Sequence, residues 1–299
     1  MRTINSETAL GTLGLSPLRP FVEVTKPRLV LLTLWTVAVG FVLASRSAVD
    51  FPLLLKTLIG AGLTAAGSMA LNQYLERESD AQMRRTENRP LPSGRMKPRE
   101  ALIFGISLAL AGLLTVALSV NFLSAYLSAA TLVIYLFVYT PLKKRTPLCT
   151  LVGAIPGAIP PMLGWAAARG ELGFEPWVLF SILFAWQLPH FFAIAWICRE
   201  DYSRAGFRML SVVDPTGKRV GQEIMIYSLA VHLLSFVPAV SGMTGPLYYL
   251  AALLLGIWFL VSSFQTAFQL DLRSRSFFRR SVLYLAFLLL FLILDRKTI

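Results

Sequence analysis

Long apolar runs alternate with short polar connections along the whole chain. Nine of them approach the roughly 20 apolar residues that a helix needs to cross a bilayer: residues 29–44, 51–75, 101–120, 122–139, 148–168, 176–198, 224–241, 246–268 and 281–294. The third and fourth are divided only by Asn121 and its neighbours. The first eighteen residues are polar and mixed, without the apolar core and small-residue cleavage site of a signal peptide, so none is expected. The pattern predicts an all-α polytopic membrane protein, about nine transmembrane helices in a bundle around a central cavity open to the cytoplasmic side. One membrane-embedded domain is expected over residues 1–299, with 1–24 as a polar N-terminal segment.

Composition removes the other classes. Of 299 residues, 56% are hydrophobic and only 15% charged, against about 25% charged in a soluble domain. A water-soluble enzyme, a disordered chain and a disulfide-stapled secreted scaffold are excluded. Cys149 and Cys198 lie near apolar runs and lack metal-ligand spacing. Net charge is +12, but the 28 Lys and Arg are unevenly placed. With the N-terminus in the cytoplasm, connections on that side hold nearly all of them, from Arg2, Arg19, Lys26 and Arg28 to Arg273, Arg275, Arg279 and Arg280. The other side has Arg46, Arg169, Arg296 and Lys297, and Lys56 lies within a run. This is the positive-inside distribution of a multi-pass protein with an odd number of spans. The basicity is a topology signal: the lipid bilayer is the expected partner, and nucleic acid is not.

Two cytoplasmic connections are long and chemically dense, residues 76–100 and 199–223, and they hold more than half of the 16 acidic residues. They follow the second and sixth runs, which suggests two similar four-helix halves with facing polar loops. Asn72, Glu76 and Asp80 recur every four residues, so on a helix they share one face over about 12 Å. One amide carbonyl and two carboxylates suit Mg2+, which takes few carboxylates and leaves positions for water and substrate phosphate. Arg84, Arg85 and Arg89 follow directly, and guanidinium forks match phosphate oxygens. A solvated loop whose arginines merely obey the charge rule is the competing reading. Polar groups at the end of a long apolar helix are costly, which favours a metal–diphosphate site.

The later stretch places Trp186, Gln187 and His190 around Pro189 within a run, where a broken helix would let them line a substrate cavity. Glu200, Asp201 and Tyr202 follow at its cytoplasmic end, and the acid pair is a candidate for a second metal. Lys143, Lys144 and Arg145 put three cations in one short turn, a further site for phosphate or carboxylate. A histidine bonded to its neighbour, and a turn that follows topology alone, are the plain alternatives. Gly153, Pro156, Gly157, Pro160, Pro161 and Gly164 make the fifth run a poor straight helix. The chain has no P-loop, nucleophile elbow or zinc-protease helix.

The motif Asn-x3-Glu-x3-Asp-x2-Met-x-Arg-Thr-x2-Arg-Pro-Leu at residues 72–91 resembles the UbiA-type intramembrane prenyltransferases, and within them the protohaem IX farnesyltransferase (haem O synthase) branch. TKPR at 25–28, YTPLKKRT at 139–146, WQLPHFFAIAW at 186–196 and DYSRAGFRML at 201–210 resemble further signatures of that branch, so the likeness covers nearly the whole chain. Glu76 stands where many members have Asp, and Gly206 where other branches carry the second acid of the later motif. The resemblance implies an Mg2+-dependent enzyme of a bacterial plasma membrane, with farnesyl diphosphate and haem B as substrates. Haem O and diphosphate are the implied products, and a haem A synthase is an implied partner. Asn72, Glu76, Asp80 and Asp201 are then the catalytic candidates, with Glu200 added as a metal ligand. Arg84, Arg85, Arg89, Lys143, Lys144 and Arg145 would bind diphosphate; Trp186, Gln187, His190 and Tyr202 would line the cavity. The runner-up is a prenyltransferase acting on an aromatic quinone precursor. An alcohol phosphotransferase lacks its sequence pattern here, and a carrier leaves the acid face followed by arginines unexplained.

Overall fold

The computed structural model describes residues 18–45 and 48–297. The readings placed on Arg2, Arg46 and the first 17 residues of the polar N-terminal segment lie outside the described residues. Among those described, nine helices are long and apolar enough to cross a membrane: α1 Pro27–Ala44, α2 Phe51–Asp80, α3 Pro98–Ser119, α4 Phe122–Leu142, α5 Cys149–Arg169, α6 Phe174–Ile197, α7 Lys218–Val240, α8 Pro246–Phe268 and α9 Leu270–Leu294. The number of spans agrees with the apolar pattern. Two ends do not. α2 continues through its polar tail to Asp80, and α9 begins at Leu270, well before its apolar stretch.

Local chemistry sets the boundaries. Asp50 caps α2 by accepting the Leu53 N–H at 2.9 Å, and Asn121 does the same for α4 from Ser124 at 2.8 Å. Asn121 also donates to the Ala166 carbonyl at 2.8 Å, so the turn between α3 and α4 is tied to α5. α4 changes to a π-helix over Ile134–Tyr139 before its last turn, Thr140–Leu142. The expected break at Pro189 is absent: α6 runs straight through it, as α5 does through Pro156, Pro160 and Pro161. These two helices are the most enclosed, with 72% and 67% of their most apolar stretches buried. Packing on neighbours keeps them helical despite the missing donors.

The helices close into two groups. α1 to α5 pack each on the next, and α5 returns onto α1; α6 to α9 form a four-helix ring of their own. Contacts of α5 with α6 and of α9 with α1 join the groups. The division is therefore five and four, where the loop spacing suggested four and four. The reason is the α1–α5 crossing, where a Cβ on Gly40 would overlap the Pro161 carbonyl and one on Gly164 the Val37 carbonyl. Small residues let the two backbones touch, which is how helices gain packing where lipid supplies no hydrophobic drive. Large apolar side chains such as Leu31, Leu55, Leu110, Leu254 and Phe122 stay exposed on the outside. In water these faces would aggregate; against lipid tails they are at home.

Candidate active site

The last turns of α2 carry Asn72, Glu76 and Asp80 on one buried face, exposed by 1%, 8% and 1%. One cation sits on each of the three. Lys26 Nζ donates to Asn72 Oδ1 at 3.2 Å. Lys143 Nζ meets Glu76 Oε1 at 2.7 Å, and Arg89 Nη1 meets Asp80 Oδ2 at 2.7 Å. The cations come from three places: the approach to α1, the turn after α4, and the loop after α2.

Each of these groups is held from behind. Thr140 Oγ1 donates to the Tyr135 carbonyl at 2.8 Å, so it accepts from Asn72 Nδ2 at 3.2 Å. That bond turns the amide carbonyl towards Lys26. The π turn of α4 brings Thr140 into place and stacks Tyr135 on Tyr139, 5.6 Å between centroids. Lys143 lies over the Tyr139 ring at 4.6 Å, a cation–π contact. Burial opposes its charge, but Tyr139 and Glu76 outweigh burial and hold the amine above the usual lysine range.

Lys26 is the least ordinary residue of the cluster. Its backbone is left-handed, φ 51°, the only non-glycine among the described residues with positive φ. Such a conformation costs on the order of 1 kcal/mol or more in a residue with a Cβ. The strain is imposed from both sides. Pro27 opens α1 immediately after it, and Gln73 Nε2 holds the Val24 carbonyl at 2.9 Å just before it. Burial, then the neighbouring Arg89, lowers its pKa to about 7, with Glu76 pulling the other way.

The two long connections meet, as their spacing suggested. The Arg84 N–H donates to Asp201 Oδ1 at 3.1 Å, and the Arg204 guanidinium pairs with the same oxygen. Burial raises the Asp201 pKa, but these donors outweigh it and hold the carboxyl below its ordinary value. Arg85 reaches the Tyr202 hydroxyl at 3.3 Å and lies over its ring at 5.1 Å. The third connection joins them: the Arg208 N–H donates to the Lys143 carbonyl at 2.7 Å. Lys144, Arg145 and Glu200 are exposed at the rim.

Three cavity candidates take other places. Trp186 Nε1 donates to the Ser281 carbonyl at 2.8 Å, and His190 Nδ1 shares a 2.7 Å bond with Ser281 Oγ, its ring against Trp186 and Phe278. Gln187 Nε2 bonds the Leu183 and Ala154 carbonyls at 3.0 and 3.3 Å. Their partners belong to α9, α5 and α6 itself, not to the acid face.

The donor set fits a hard divalent cation. Asp80 Oδ1 is buried with no hydrogen-bond partner, a costly state for a carboxylate oxygen that a metal would relieve. Among the described residues no three His, Cys, Asp or Glu side chains come together to enclose a metal by themselves. Two carboxylates and an amide, completed by water and phosphate oxygens, are what Mg2+ accepts. Sequence reasoning missed Lys26, Thr140 and the Tyr135–Tyr139 stack as parts of this site. The signal for Lys26 was a cation directly before the proline that opens a span.

A profile of the UbiA prenyltransferase family matches residues 33–292. The chain is 49% identical to a protein of Solibacter usitatus named protoheme IX farnesyltransferase, over 93% of this chain and 99% of that one. A solved digeranylgeranylglyceryl phosphate synthase superposes with a TM-score of 0.78 at 17% identity, over 93% of this chain and 98% of the other. A UbiA homologue from Archaeoglobus fulgidus, solved with GPP and Mg2+, gives 0.65 at 17% identity, over 91% and 99%.

Proposed function

Because the chain belongs to the UbiA prenyltransferase family, we propose that it transfers the farnesyl group of farnesyl diphosphate to a vinyl group of protohaem IX. Water adds in the same reaction, and the products are haem O and diphosphate. The observation that carries this reading is the buried Asn72–Glu76–Asp80 face with a cation on each member. It occurs in a chain whose close relative bears the farnesyltransferase name.

A vinyl group is a weak carbon nucleophile. The allylic carbon–oxygen bond must therefore break, at least in part, before the new carbon–carbon bond forms, and negative charge collects on the leaving diphosphate. When bound, Mg2+ supplies positive charge against that leaving group. Asn72, Glu76 and Asp80 would hold it, Asp80 through the oxygen that lacks a partner. Arg89 and Lys143, already on the acid face, would stabilise the departing phosphates, with Arg84, Arg85, Lys144 and Arg145 as further donors from the adjoining loops. The apolar interior takes the farnesyl tail and keeps water from its cation. Water then captures the cation beside the porphyrin ring, leaving a hydroxyethylfarnesyl chain. The basic ends of the spans and the N-terminus face the cytoplasm of a bacterial plasma membrane.

The test is the mass of haem extracted from membranes with and without this chain, in cells supplied with farnesyl diphosphate. Haem heavier by one farnesyl group and one hydroxyl is expected only with the chain. Unmodified haem B alongside prenylation of an aromatic acid would move the assignment to the quinone branch.

A further inference from the structure

Two of the three ligand atoms proposed for the metal are not free: Lys26 covers Asn72 Oδ1 and Lys143 covers Glu76 Oε1, while Arg89 holds Asp80 Oδ2 beside the open Oδ1. We propose that Lys26 and Lys143 are resident cations that occupy metal-ligand atoms in the resting site and move onto the diphosphate when metal and substrate enter together. This inference rests on the metal–diphosphate reading and adds the order and coupling of the two ligands.

Geometry supplies the argument. Glu76 and Asp80 are almost wholly buried, so neither can stand as a bare anion, and a cation partner is obligatory in the absence of metal. A divalent ion arriving alone must displace Lys143 and Lys26 and leave them stranded in the same enclosed space as Arg89, three cations beside the new one. A divalent ion arriving with diphosphate brings the anion on which the displaced amines can land. The partners are built for such a move. Lys143 slides along the Tyr139 ring, which holds its charge in either position. Lys26 sits on a strained backbone and bonds only the neutral amide of Asn72, the weakest of the three attachments. Arg89 keeps one end of its guanidinium free while the other holds Asp80 Oδ2, and Asp80 Oδ1 remains open. The site is thereby closed to metal alone and open to metal with diphosphate, and free diphosphate in turn finds its cations engaged until metal releases them.

The experiment measures binding, not turnover. Purified full-length chain in lipid nanodiscs is titrated with Mn2+, read by electron paramagnetic resonance, with and without inorganic diphosphate. Wild type should bind Mn2+ weakly alone and much more tightly with diphosphate. Lys143→Met and Lys26→Met each remove one competitor and one diphosphate donor. Lys143→Met should therefore tighten Mn2+ alone by about tenfold and Lys26→Met by a smaller factor, each shrinking the gain from diphosphate, since a unit charge a few ångströms away is worth at least about tenfold in a partly buried site. Lys26→Arg and Lys143→Arg should behave as wild type. Lys26→Met touches only a neutral partner and so tests the proposal even if Lys143→Met fails to fold. Variants that bind Mn2+ alone no better than wild type, or that lose both ligands together, overturn the counter-ion role while leaving the metal site standing. Wild type that binds no Mn2+ even with diphosphate overturns the metal–diphosphate reading as well.

Discussion

Asp80→Asn is the most informative single change. The side chain is 1% exposed, and the amide has the shape of the carboxylate, so packing is unaltered. What is lost is one of two negative charges on the face and the oxygen Oδ1 that has no partner. Arg89 keeps an oxygen to bond, now neutral, in place of its 2.7 Å ion pair. The folded protein therefore loses on the order of 1–2 kcal/mol, the difference between a charged and a neutral hydrogen bond. The chemistry loses more. Removing one fixed stabiliser of a leaving group raises a barrier by about 3–4 kcal/mol, or a rate factor of roughly 10² to 10³. The two effects separate in one preparation, by following haem O formation with saturating Mg2+ and melting the same sample thermally. A small shift in melting with turnover down by that factor is expected. Turnover close to wild type, or wild-type turnover that persists in excess EDTA, would refute the metal face.

Three further outcomes are expected. Gly164→Val puts methyl groups into the backbone of α1 at Val37 and Phe41, so at least about 3 kcal/mol is lost and little folded protein accumulates; normal yield and melting would contradict the α1–α5 crossing. Asp214 accepts from Thr216 Oγ1 and the Arg219 N–H, both at 2.7 Å, and from the Val220 N–H at 3.3 Å, so Asp214→Ala should cost about 1–2 kcal/mol in thermal stability. Burial raises that carboxyl's pKa but the bonds outweigh it and lower it, so its contribution is complete above about pH 4 and is lost as pH falls through the lower folded value; a melting difference from Asp214→Ala that persists in strong acid would contradict this. Ser93 and Ser241 are exposed at opposite ends of the bundle. In a chain with Cys149 and Cys198 replaced, Ser241→Cys should react with a membrane-impermeant thiol reagent on intact cells, and Ser93→Cys only after the membrane is opened or inverted. Reaction of both from one side would end the proposed orientation.

The nine spans and the acid face were legible because each depends on short-range pattern. Length and apolarity fix a span, and a four-residue interval fixes which residues share a helix face. The convergence of the two long loops was also visible, through their positions after the second and sixth spans. Contacts between distant segments were not. No local pattern says that α1 returns to α5, because the glycines and prolines that permit it read equally as kinks. Pro189 misled for the same reason: local chemistry favours a break, and packing against α5, α7 and α9 overrides it. His190 is an inward polar group, and its partner is Ser281, on a helix whose register the sequence does not disclose. Lys26 needed the backbone itself, since a left-handed lysine is invisible in composition.

The return of α5 onto α1 also has a consequence for how the protein is made. Gly40 and Pro161 touch, yet a ribosome adding about 5–20 residues per second needs on the order of 6–24 seconds to pass from one to the other. During that interval α1 lies in the bilayer without the helix it was shaped to hold. Its small residues offer a backbone surface to any neighbour. The insertion machinery must therefore shelter α1 to α4 as an open group until α5 arrives, and Glu76 near the end of α2 gains its Lys143 partner only shortly before that closure.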